Sequence, residues 1–154
     1  VTNEVAHART QMATTLDAVC RCAVQVVAFW PGEDAGADLA SKRLRMDPQI
    51  HTVRNLPPMR FLQLLTQATC VVGNSSVAIR ECGRLGVPAV NIGTRQQGRE
   101  RGPNVIDVPH ERLAISDALH RQIAHGPYRP VTLYGSCDAG ERMADVVCAM
   151  GEKR

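Results

Sequence analysis

The sequence predicts an α/β domain: a Rossmann-like, three-layer arrangement with a mostly parallel sheet and helices on both faces. Three observations predict it. Strand-length apolar runs alternate with helix-length patterned runs throughout, as in parallel strands joined by right-handed crossovers. Hydrophobic residues make up 44% of the chain but aromatics only 3%, so the core is built from Val, Leu, Ile, Ala and Met, which suits a sheet covered by helices. The length of 154 residues is that of one domain and is enough to bury a core without disulfides or metals.

The elements follow in order. Val5 to Cys22 is helical, with Met12, Leu16 and Val19 on one face and Thr2 or Asn3 as cap. Val24 to Trp30, apolar except for Gln25, reads as a central strand. Pro31 to Gly36 is a loop at its carboxyl end, and Ala37 to Arg45 a short polar helix. Ile50 to Val53 is a second strand. Pro57-Pro58 breaks the chain before a helix over Met59 to Gln67, with Phe61, Leu62, Leu64 and Leu65 inward. Cys70 to Val72 is the third strand and Val77 to Leu85 a helix. Ala89 to Ile92 is the fourth strand and Asn104 to Val108 the fifth. Glu111 to His125 is a helix with Leu113, Leu119 and Ile123 as core contacts, stopped by Gly126-Pro127. Ala139 to Met150 is the last helix, with Met143, Val146, Val147 and Met150 in one apolar stripe.

The chemistry concentrates between Cys70 and Arg101. The third strand ends in Gly73, where the missing Cβ lets a ligand approach the backbone. Asn74, Ser75 and Ser76 are N-cap residue types, and a helix N-terminus offers free N–H groups and a partial positive charge to a phosphate. The fourth strand runs through Gly93 into a loop with Arg95, Arg99 and Arg101; guanidinium groups bind phosphate by paired hydrogen bonds. In a parallel sheet both loops lie at the carboxyl ends of their strands, where open α/β folds bind ligands. The expectation is a diphosphate site between Ser75/Ser76 and the Arg loop. An ordinary capped helix beside a solvated basic loop would produce the same residues. Arg99 and Arg101 also read as a solvated charge run around Glu100, and Asp34 as a turn residue beside Gly.

Composition excludes several classes. A net charge of +3, with basic residues not interleaved with aromatics, gives no nucleic-acid footprint. The six cysteines contain no Cys-x-x-Cys pair and the five histidines no metal spacing, so no metal is expected. His7 and His110 read as surface residues. Cysteines inside apolar runs behave as small hydrophobes, and reduced thiols indicate a cytoplasmic protein. No apolar run approaches the roughly 20 residues of a membrane span. There is no Gly-x-Gly-x-x-Gly and no Walker A motif, and no cofactor is expected.

With those residues in place, the chain resembles the C-terminal half of UDP-N-acetylglucosamine 2-epimerases, nearest the hydrolysing type of sialic acid biosynthesis. The likeness rests on Gly73-Asn74-Ser75-Ser76, Arg80-Glu81-Cys82-Gly83, Gly86-Val87-Pro88, Asn91 to Arg99 and Asn104-Val105. It implies the C-terminal half of a GT-B-type fold, across residues 1–154, with UDP or UDP-GlcNAc as ligand. It implies that Ser75 and Ser76 bind the diphosphate with Asn74 beside them, and that Glu81 holds the ribose diol, although Glu81 also reads as a first-turn carboxylate favoured by the helix dipole. It implies further that Arg95, with Arg99, meets the nucleotide from the facing loop, that Leu56 offers backbone atoms to uracil, and that Asp34 borders the site. The family's acid–base groups belong to an N-terminal domain and to a His-Pro preceding Val1-Thr2. The resemblance therefore implies an interdomain fragment, inactive alone, that pairs with a missing N-terminal domain and exposes its last helix to self-association, as in a homo-oligomer. The nucleotide-binding half of a GT-B glycosyltransferase, a non-catalytic nucleotide-sugar sensing module and a degenerate structural domain remain open alternatives.

Overall fold

The computed structural model describes residues 8–22, 25–30, 44, 48–136 and 138–151. The loop expected over Pro31–Gly36, with Asp34, lies outside them, as does Val1-Thr2. The described elements are α1 (Ala8–Cys20), β1 (Val26–Phe29), β2 (Ile50–Val53), α2 (Pro58–Gln67), β3 (Val71–Gly73), a 3₁₀ turn (Ser76–Ala78), α3 (Glu81–Leu85), β4 (Ala89–Ile92), β5 (Val105–Val108), α4 (Arg112–His125) and α5 (Ala139–Gly151). All five strands stand where the apolar runs place them, and every pairing is parallel.

The pairing differs from a single sheet. Among the described residues, β1 pairs with β2 alone, while β3, β4 and β5 form a separate sheet in that order. The central strand is therefore β4, buried at all four positions, and not β1, in which Val27 and Phe29 are exposed. An uninterrupted apolar run shows that a strand is wanted; it does not show how many neighbours that strand will have.

The larger sheet has two covered faces, and the strand alternation assigns them. Val72, Val90, Ile92, Ile106 and Val108 face α1 and α4. Val71, Ala89 and Val105 face α2, the 3₁₀ turn and α3. Among the described residues, two elements link this sheet to the smaller one. One side of α1 packs Ala18 and Val19 on the larger sheet, joined by Cys22 from the turn that follows the helix. Its other side packs Met12 and Leu16 against Ile50, Val26 and Ala28. The single apolar face expected of this helix is thus two faces, because α1 sits between two sheets. Leu44, the one described residue of the expected polar helix, is buried in that second cluster. The other link is α2, whose Phe61 meets Phe29 at the end of β1 edge-to-face, ring centroids 5.2 Å apart, while also packing on the larger sheet's cluster.

Two helices depart from expectation. The run Val77–Leu85 divides into the 3₁₀ turn and the five-residue α3. In α4 the buried residues are Ile115, Ala118, Leu119 and Gln122, whereas Leu113 is 67% exposed. Leu113 lies two positions from Ile115, which puts it roughly on the opposite side of a 3.6-residue helix. α4 ends at Gly126, at φ +73°, whose N–H donates to Gln122 O at 3.1 Å.

Buried amides stitch the scaffold together. Gln122 Nε2 donates to Ala89 O at 2.7 Å and Asn104 O at 2.8 Å, and Gln122 Oε1 accepts from Tyr128 OH at 2.7 Å. Asn104 Nδ2 donates to Ala78 O and Val87 O. Both amides serve the amino-end side of the larger sheet and leave the carboxyl ends of its strands to the loops.

Candidate functional site

The carboxyl edge of the larger sheet carries one row of paired residues, Gly73–Asn91–Asp107. Gly73 is at φ +151° with nothing within 4 Å of where a Cβ would lie, so the backbone is open there. Beyond it the chain turns through Asn74 and Ser75. Ser75 is extended and caps the 3₁₀ turn, its Oγ accepting from Val77 N at 3.4 Å. Ser75 is exposed, and Asn74 and Ser76 are half-buried. The expected helix start is a 3₁₀ start, so any macrodipole here is that of one short turn; local backbone and hydroxyl donors carry the polarity.

The loop after β4 lies against this turn. Gln96 is buried and its Nε2 donates to Asn74 O at 2.8 Å. One bond thereby fixes the Ser75–Ser76 turn beside the segment that carries Arg95. Arg95 and Arg99 are exposed. Arg101 is half-buried and spent inside the protein: Nη2 donates to Gln96 O at 2.7 Å, Nε to Arg99 O at 3.1 Å, and Nη1 pairs with Asp107. The reading of Arg101 as an anion ligand, or as part of a solvated charge run, is therefore corrected. Asn91 Nδ2 holds the other Asp107 oxygen at 2.7 Å.

Glu81 opens α3, so it stands in a first turn and not a turn and a half along a longer helix. It is half-buried, and its Oε2 is buried without a hydrogen-bond partner among the described residues. A desolvated carboxylate oxygen without a donor costs free energy that a ligand hydroxyl can recover. The adjacent Cys82 is no nucleophile: burial, and then the Glu81 carboxylate, push its thiol up to about 12. Burial likewise pushes the Cys70 thiol up to about 12. Both stay protonated at neutral pH.

Of the expected site residues, the structure brings Asn74, Ser75 and Ser76 together with the Arg95 segment, and sets Glu81 just beyond the 3₁₀ turn. Leu56 is half-buried and follows β2, at the carboxyl end of the smaller sheet. His110, read as a surface residue, is half-buried at the carboxyl end of β5. A Cβ on Gly93, at φ +77°, would lie 2.5 Å from His110 Nε2. Gln96, Asn91 and Asp107 were not foreseen. The usable signal was polar residues inside or just after β-runs, where a side chain at a strand's carboxyl end meets the loops.

The sequence model of the family described as UDP-N-acetylglucosamine 2-epimerase matches residues 1–148. The chain belongs to that family. It is 31% identical over 128 residues to the UDP-N-acetylglucosamine 2-epimerase of Neisseria meningitidis serogroup B, covering 79% of this chain and 34% of the relative. It is 28% identical to the UDP-N,N'-diacetylbacillosamine 2-epimerase (hydrolyzing) of Legionella pneumophila, covering 92% of this chain and 38% of that one. The chain thus spans little more than a third of either relative. The fold is similar to that of the Methanocaldococcus jannaschii UDP-GlcNAc 2-epimerase, crystallised with UDP-GlcNAc and UDP. The TM-score is 0.74 at 14% identity, covering 92% of this chain and 41% of the other. The family likeness and the α/β fold expected from the sequence therefore stand. Among the described residues, no helix is long and apolar enough to cross a membrane.

Proposed function

We propose that this chain is the C-terminal, UDP-binding half of a hydrolysing UDP-N-acetylglucosamine 2-epimerase, which converts UDP-GlcNAc to ManNAc and UDP. Its ligand is UDP or UDP-GlcNAc, its partner is an N-terminal domain of the same enzyme, and it works in the cytoplasm. The observation that carries the reading is the Gln96–Asn74 bond, which seats the Arg95 segment beside the Ser75–Ser76 turn at the carboxyl edge. Ser75, Ser76 and Asn74 form one wall of a diphosphate site, and Arg95, with Arg99, the other. Glu81 Oε2, buried without a hydrogen-bond partner among the described residues, suits the ribose diol, because a carboxylate accepts from two hydroxyls. Leu56 supplies backbone atoms to the uracil edge. Asp34, in the Pro31–Gly36 stretch of the sequence outside the described residues, belongs to the same reading.

The acid–base work of removing and replacing the sugar C2 proton needs carboxylate or imidazole groups at the reacting carbon, and these are assigned to the N-terminal domain. Calorimetric titration with UDP tests the reading. The wild-type protein is expected to bind UDP, and both Arg95→Ala and Glu81→Ala to weaken it. Binding that neither substitution changes would overturn the site. Turnover of UDP-GlcNAc to ManNAc by these 154 residues alone would overturn the division of labour.

A further inference from the structure

Arg101 was expected to offer its charge to a ligand, yet each nitrogen of its guanidinium is engaged within the protein. Two face carbonyls of its own loop, Gln96 O and Arg99 O, and the third faces the Asp107 carboxylate. Asp107 is in turn held by Asn91, its registered neighbour across the sheet. The loop is therefore drawn closed around one planar fork, and the fork is anchored on two strands. Gln96 is the hub. Its carbonyl accepts from Arg101 at 2.7 Å and from Arg99 N at 3.3 Å, while its side chain crosses to Asn74 O at 2.8 Å. Arg95 is the residue before this hub, with a turn from Gln97 N to Thr94 O closing over it at 2.9 Å. Any shift of Gln96 shifts Arg95 relative to the Ser75–Ser76 turn.

We propose that Arg101 and Asp107 are positioning residues for the diphosphate part of the ligand: through Gln96 they set Arg95 against the Ser75–Ser76 turn without touching the nucleotide. This rests on the UDP-binding reading above. The geometry requires Arg. A lysine at 101 can pair with Asp107 but cannot reach two carbonyls and a carboxylate at once in a fixed plane. It follows that the contribution of Arg101 is to the phosphates alone; a nucleoside without phosphates has nothing for Arg95 to grip.

The test compares UDP with uridine in the full protein, by calorimetry and by competition, for the wild type, Arg95→Ala, Arg101→Lys and Asp107→Asn, with thermal melting of each. Arg101→Lys and Asp107→Asn are expected to lower UDP affinity on the order of tenfold, as small misplacements of a binding group do, and to leave uridine affinity unchanged. The UDP-to-uridine ratio thus falls toward that of Arg95→Ala. A ratio that stays at the wild-type value in both variants, while Arg95→Ala still collapses it, would overturn the proposal and leave the UDP site standing. Parallel losses for both ligands that follow the melting temperature would also overturn it, by reducing Arg101 to a scaffold residue. A wild type that binds uridine as well as UDP would instead overturn the site reading itself. Asp107→Asn keeps the fold's shape if Arg101→Lys does not fold.

Discussion

Single residues at positive φ separate two costs that sequence alone confounds. Gly98 is at φ +78° with nothing within 4 Å of the place a Cβ would take, whereas at Gly86, φ +72°, that carbon would lie 2.2 Å from Tyr128 O. Gly98→Ala should therefore cost only the left-handed backbone, about 1–2 kcal/mol. Gly86→Ala should add the displacement of a neighbouring backbone carbonyl, about 1–3 kcal/mol more. Urea denaturation of the two variants checks this; equal midpoints would contradict it. Both glycines are plain in the sequence, but only the fold shows which is crowded. The same holds for Gln122, which is fully buried. It occupies the 115–118–119–122 stripe of α4, a register that the expected contacts Leu113, Leu119 and Ile123 do not follow. Its burial is tolerable because Ala89 O, Asn104 O and Tyr128 OH satisfy it. None of those three partners is visible in the sequence around it.

At the scale of the element, strand positions were legible and partnerships were not. The runs ending at Val53 and Ile92 match β2 and β4 to the residue, because short apolar runs bounded by turn residues leave little room for another conformation. That β1, among the described residues, would pair with β2 and apart from the other strands is encoded by no local pattern. The helix after Gly73 was legible as a turn-plus-helix, but its division into a 3₁₀ turn and α3 was not. The α4 register makes a sharp prediction. Ile115→Ala should cost about 2–4 kcal/mol, as buried large-to-small changes do, and Leu113→Ala less than about 0.5 kcal/mol. Chemical denaturation of both variants measures it. Equal losses would mean that α4 presents a different face to β4 and β5.

The whole molecule has two properties that follow from what it buries and what it leaves out. It holds two desolvated thiols, the half-buried Cys70 and the buried Cys82, each raised to about 12 from an ordinary 9.0 chiefly by desolvation. Because the folded pKa lies above the unfolded one, their contribution to stability is complete below about pH 9 and is lost as pH rises toward 12. The slope is on the order of 1.4 kcal/mol per pH unit for a fully buried thiol, and less for the half-buried Cys70. Urea midpoints between about pH 7 and pH 10.5 should fall more steeply in the wild type than in Cys82→Ala; parallel curves would refute the account. What it leaves out is α5. Met143, Val147 and Met150 are 63%, 68% and 70% exposed, with Val146 exposed beside them on the same stripe. The stripe was legible from its spacing, and its exposure was expected once the chain was read as one half of a two-domain fold. An apolar face of this kind stays in water only at a cost. In a protein of the length of the relatives, a second domain is the expected cover. For these 154 residues alone, the expected cover is a second copy, so sedimentation should show concentration-dependent dimers. Val147→Glu with Met143→Glu should return the chain to monomer, with a melting temperature equal to that of the wild type at a dilution where both are monomeric, since neither exposed side chain supports the core. A wild type that stays monomeric at high concentration would show that α5 folds back onto its own domain, and the double substitution would then destabilise it.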